Sequence, residues 1–141
     1  MNRNGPIIVI EDDLDDQNSL KEVFRELNFK NEIIFLGDGV KAYDYLMNKP
    51  VEPFLILSDI NMPRLNGLEL RQKIQNNADL RQKCIPYLFF SSSADQQNVV
   101  DAYSNSIQGF FVKPSSMPQL TNTMRKIVEY WQECISPNYC R

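Results

Sequence analysis

Five carboxylates, Glu11, Asp12, Asp13, Asp15 and Asp16, crowd six positions directly after the apolar run Ile7–Ile10. Packed that closely they repel one another unless a cation sits among them. A further acid, Asp59, follows Ser58 and the apolar run Phe54–Leu57. Ser91 follows Tyr87–Phe90, and Lys113 follows Phe110–Val112. The chain contains no histidine, which excludes an internal imidazole base and any imidazole ligand. Clustered carboxylates without imidazole suit a hard, oxygen-seeking divalent ion such as Mg²⁺. A lysine beside them can neutralise phosphate oxygens as a point charge, and a hydroxyl can donate to one of them. Together these groups offer the positioning and charge stabilisation that phosphoryl transfer needs. Asp15 and Asp16 are read more simply, as a solvated acidic loop and helix cap.

Such residues need a scaffold that delivers them to one place. The runs Ile7–Ile10, Ile33–Leu36, Phe54–Leu57, Tyr87–Phe90 and Phe110–Val112 are short, rich in β-branched and aromatic residues, and mostly without polar alternation. Strands buried on both faces of a parallel sheet read this way. Helical spacing separates them: Leu20, Val23, Phe24 and Leu27, capped by Asp15 or Asp16; Val40, Tyr43 and Met47; Leu68, Leu70 and Ile74 after Asn66-Gly67; Val99, Val100 and Tyr103; and Leu120, Met124, Ile127 and Trp131. Five βα units predict a doubly wound α/β fold with a parallel sheet. Ligands of such sheets bind beyond the carboxyl ends of the strands, where the chain order reverses. If the order 2-1-3-4-5 is borrowed from a common doubly wound class, that point falls between the first and third strands. Asp59 then stands beside the acids of the first.

Bulk properties narrow the function. The 141 residues fit one domain, with a core over about 6–133 and a short tail over 134–141. The hydrophobic fraction of 43% is ordinary for a globular chain. A net charge of −3 argues against a nucleic-acid surface. No run approaches the length of a membrane span, and the start lacks a signal-peptide core, so no membrane partner and a cytoplasmic location are expected. Cys84, Cys134 and Cys140 show no pairing pattern and read as reduced thiols. About ten residues follow Trp131, Pro137 among them, and no output domain is expected there.

The segments IIVIEDD, LILSDINMPRLNG, FFSSSA and GFFVKP, in that order, resemble the receiver domain of two-component response regulators from about Ile7 to Trp131. The resemblance implies a flavodoxin-like three-layer sandwich. It implies that Asp59 is the phosphoacceptor, and that Glu11, Asp12, Asp59 and the backbone carbonyl of Asn61 hold Mg²⁺. Asp13 is an extra carboxylate with no assigned role. Lys113 takes the place of the family's lysine, Ser91 that of its Ser/Thr switch and Phe110 that of its aromatic switch. A cis Lys113–Pro114 peptide is implied as well. The implied donor is a histidine kinase or a phosphotransfer protein. The implied output is a change in the surface of the fourth helix, fifth strand and fifth helix. Asn61 and Ser93 stand where receivers tune the lifetime of the phosphoryl group. The longer, polar stretch Asn76–Lys83 is similar to the stand-alone, phytochrome-associated group. Tyr130, Trp131, Ile135 and Tyr139 are expected to support a homodimer or dock a kinase.

Two rivals are weighed. A small Mg²⁺-dependent phosphatase with an aspartyl nucleophile, like the haloacid dehalogenases, combines similar residues. It needs DxDx[TV] on its first strand, where Asp13-Leu14-Asp15 is followed by Gln17 at the last place, and no segment is long enough for a cap. A pseudo-receiver that binds without phosphorylation is disfavoured because every motif position is filled.

Overall fold

The computed structural model describes residues 1–92 and 94–135. Five parallel strands, β1 (Ile7–Ile10), β2 (Ile33–Leu36), β3 (Leu55–Ser58), β4 (Tyr87–Ser91) and β5 (Gly109–Val112), form one sheet in the order β2-β1-β3-β4-β5. Every neighbouring pair is parallel, as the βα alternation predicts. β1, β3 and β4 are buried throughout. The outer strands β2 and β5 are only partly covered, because each has a single neighbour.

Six helices among the described residues cover the sheet: α1 (Leu14–Leu27), α2 (Gly39–Asn48), α3 (Gly67–Asn76), α4 (Ala78–Gln82), α5 (Gln96–Ser104) and α6 (Met117–Glu133). Strand alternation divides the core into two layers. Ile7, Val9, Leu55, Leu57, Leu88 and Phe90 pack with α1 and α6 on one face. Ile8, Ile10, Ile56, Tyr87 and Phe89 pack with α2, α3 and α5 on the other.

The structure differs from the sequence reading in four helical details. Asp13, rather than Asp15 or Asp16, caps α1, accepting from the Asp15 and Asp16 amides, so both of those acids fall in the first turn. The stretch Asn76–Lys83 holds a five-residue helix, α4, whose Leu80 is buried and whose cap is Asn77. In α2 the buried residues are Gly39, Ala42 and Leu46. Tyr43 is half-buried and Met47 exposed, because small residues let the helix lie closer than the larger apolar ones do. In α5 only Ala102 is buried, and Val100 and Tyr103 face solvent.

Candidate functional site

The strand ladders run one residue past each strand and thereby set the site. The Glu11 amide donates to Leu36 O and the Asp59 amide to Ile10 O, each at 3.0 Å. The Lys113 amide donates to Ser91 O at 3.0 Å. Glu11, Asp59 and Lys113 therefore leave β1, β3 and β5 at the same edge of the sheet, with their side chains converging. The Lys113 ammonium lies 3.0 Å from Glu11 Oε2, 3.0 Å from Asp59 Oδ2 and 2.8 Å from Asp16 Oδ2. Oδ1 of Asp59 accepts from the Ile60 amide at 2.7 Å, which fixes the carboxylate plane.

Glu11 and Asp59 are buried, and Asp12 is exposed beside them. Each of these three offers an oxygen within 4.8 Å of the others. Burial pushes the Glu11 carboxyl up from its usual 4.5 to about 7, against the pull of Lys113, with Asp59 pushing the same way. Burial would depress Lys113, but the hydrogen bonds it donates to Asp16, Glu11 and Asp59 outweigh it and hold the ammonium above the ordinary lysine range. This donor set is all carboxylate and hard oxygen. It fits a divalent cation, which would relieve the surplus negative charge that one lysine leaves.

Ser91 is fully buried at the end of β4. It stands two residues beyond Phe89, hence on the same face. Phe110 is the register partner of Phe89, and their rings lie 5.9 Å apart with a 43° tilt. Asn61 is exposed in the loop after Asp59. The Lys113–Pro114 peptide, expected cis, is trans, since no cis peptide occurs among the described residues. Lys113 reaches the pocket anyway, because its amide continues the β4–β5 ladder and its long stem spans the remaining distance. Ser93 and Tyr139 lie outside the described residues.

Four contributors were not visible in the sequence reading. Asp16, read as a solvated cap, is the nearest carboxylate to Lys113. With Asp13 as cap it becomes the third residue of α1, on the turn that faces the pocket. Gly67 lets α3 start against the acceptor loop: a Cβ there would lie 2.2 Å from Asp59 O and 2.7 Å from Phe89 Cε1. Tyr87 donates its buried hydroxyl to Gly67 O at 3.0 Å. Arg64 bonds Asp38, the cap of α2, at 2.6 Å and so ties the loop after Asp59 to that helix. Only the Asn-Gly pair and the carboxylate spacing hinted at any of these.

The Response regulator receiver domain family profile matches residues 7–125. The chain belongs to the response regulator receiver family. Receivers are signalling domains that accept a phosphoryl group in two-component systems, and this chain is one of them. The probable methanogenesis regulatory protein FilR2 of Methanothrix harundinacea is 30% identical over 129 residues, covering 89% of this chain and 82% of that protein. Response regulator Rcp1 of Synechocystis is 28% identical over 136 residues, covering 92% and 90%. The Mn²⁺-bound crystal structure of Rcp1 matches with a TM-score of 0.81 over 94% of this chain and 97% of that one. The phosphorylated cyanobacterial phytochrome response regulator RcpA shares the fold, with a TM-score of 0.85 at 24% identity over 95% and 99%. No helix among the receiver's described residues is long and apolar enough to cross a membrane.

Proposed function

We propose that this receiver accepts its phosphoryl group on Asp59, from a phosphohistidine of a histidine kinase or phosphotransfer protein. The observation that carries the reading is Asp59 Oδ2 at 3.0 Å from the Lys113 ammonium, beside Glu11 and Asp12. Glu11, Asp12, Asp59 and the Asn61 carbonyl would hold Mg²⁺, which when bound offsets charge on the phosphoryl group.

The chain's own groups do the rest. The Ile60 amide fixes Oδ1 of Asp59 and leaves Oδ2 toward the pocket as the attacking atom. The new O–P bond forms as the donor's N–P bond breaks, and the nitrogen keeps the electron pair. Lys113 then exchanges its contact with Asp59 for one with a phosphoryl oxygen. The Ser91 hydroxyl turns to donate to another oxygen. That movement vacates space beside Phe89 into which Phe110 rotates, a population shift between two packings. The face altered is α5, β5 and α6, where Val100, Tyr103, Val112 and Met117 are exposed apolar residues.

The receiver turns over only its own phosphoryl group and acts in the cytoplasm on protein partners, with no nucleic acid or membrane among them. Likeness to Rcp1 and RcpA supports a donor in the phytochrome-associated branch. Tyr130 and Ile135, both exposed beyond the sheet, support a homodimer. Incubation with acetyl phosphate and Mg²⁺ should add one phosphoryl mass to the wild-type protein and none to Asp59→Asn. A gain that survives the substitution would move the acceptor elsewhere.

A further inference from the structure

At the opposite edge of the sheet, where Pro86 and Gln108 lead into β4 and β5, lies a cavity of about 360 Å³. Its cationic side chains are Arg71 and Arg81, and no acidic side chain lines it among the described residues. Arg71 is only 6% exposed, in α3, where an apolar residue would suit the layer it joins. Its Nε donates to Asn105 O at 3.0 Å and its Nη2 to Ser106 O at 2.6 Å. The guanidinium carbon sits 5.5 Å from the centre of the Tyr87 ring. Among the described residues Arg71 makes no ion pair, and because every fully buried side-chain polar atom there has a hydrogen-bond partner, any N–H it leaves free is open to solvent at the cavity. Its charge is thus held by two carbonyls and a ring, with no carboxylate among the described residues opposite it. Burial accordingly pulls its pKa down.

We propose that this cavity binds a small organic carboxylate. The acid group would pair with the free N–H groups of Arg71 and with Arg81 at the rim, the fork geometry that guanidinium offers to carboxylate. Leu80, Ile85 and Trp131 would take the apolar body, and the volume suits a ligand of about ten heavy atoms. The apolar walls separate this ligand from an inorganic anion, for which they would be idle surface.

Benzoate is a suitable probe, titrated into the ¹⁵N-labelled full chain, with inorganic phosphate as comparison. Saturable shifts are expected at the Arg71 Nε–H, the Ser106 amide and the Trp131 indole N–H. Arg71→Gln should weaken the affinity roughly tenfold, the factor expected for losing a charge-assisted pair. Arg81→Ala, at an exposed position that leaves the core untouched, should weaken it by a smaller factor and guards against loss of folding in the first variant. Shifts that do not saturate, or that neither substitution alters, overturn the proposal. So does phosphate binding there as tightly as benzoate, since the apolar walls would then play no part.

Discussion

At the upper edge of the sheet three carboxylates, Glu11, Asp16 and Asp59, share the single ammonium of Lys113. At the lower edge Arg71 is buried with carbonyls and a ring but, among the described residues, no carboxylate. One sheet thus holds negative charge in excess at one end and positive charge in excess at the other. Buried charge is tolerated when it is paired or hydrogen-bonded. Where pairing is incomplete, the sign of the deficit indicates the ligand: a divalent cation above, an anion below. Tyr87 joins the two ends, since its hydroxyl bonds Gly67 O beside the acceptor loop and its ring lies under Arg71.

The largest effect should come from Gly67→Ala, which forces a methyl against Asp59 O and Phe89. A loss of about 3 kcal/mol in urea unfolding is expected, together with slower phosphorylation. An unchanged unfolding midpoint would show that α3 can withdraw from the loop. Lys113→Met should cut the rate of phosphorylation by acetyl phosphate about a hundredfold, while Mg²⁺ binds more tightly by calorimetry because a competing cation is gone. If the Arg71 Nε–H resonance also moves, the two edges are coupled rather than separate.

A smaller effect is expected from pH. The Glu11 carboxyl has a higher pKa folded, about 7, than its usual 4.5, so the folded state binds more protons between those values. Its contribution to stability is therefore present at low pH and lost as pH rises through about 7. Binding of Mg²⁺ requires the ionised form, so affinity should fall up to about tenfold per pH unit below 7 and level off above it. Glu11→Gln should remove that slope from calorimetric titrations; a slope that persists assigns the proton elsewhere. The smallest effect should be that of Tyr87→Phe, which removes one buried hydrogen bond and costs about 1 kcal/mol. Its value for the comparison is spatial: amide shifts at both Gly67 and Ser106 would establish Tyr87 as the link, and shifts at one alone would not.

Much of the upper edge was legible because it is built from strand ends. An apolar run followed by a polar residue gives both the strand and the residue that leaves it, and strand order then brings Glu11, Asp59, Ser91 and Lys113 together. The lower edge offered no such signal. Arg71 stands on an α3 face whose neighbours Leu70 and Ile74 are core, and nothing in its local sequence marks it as buried. Asp16 was misread for a related reason. A shift of the α1 cap from Asp15 or Asp16 to Asp13 turned a solvated acid into the closest partner of Lys113. In α2 and α5, burial followed small residues, Ala42 and Ala102, which hydrophobic spacing passes over.

The sequence by itself determined the five parallel strands, the polar residue at the end of four of them and the absence of imidazole chemistry, because these depend on local composition and on period. Tertiary structure alone decided which carboxylates share Lys113, that Gly67 must lack a side chain, and that Arg71 is a buried cation with no counter-ion among the described residues. Those outcomes depend on how helices seat on the sheet and on which charges meet across it, and neither is set within any one segment.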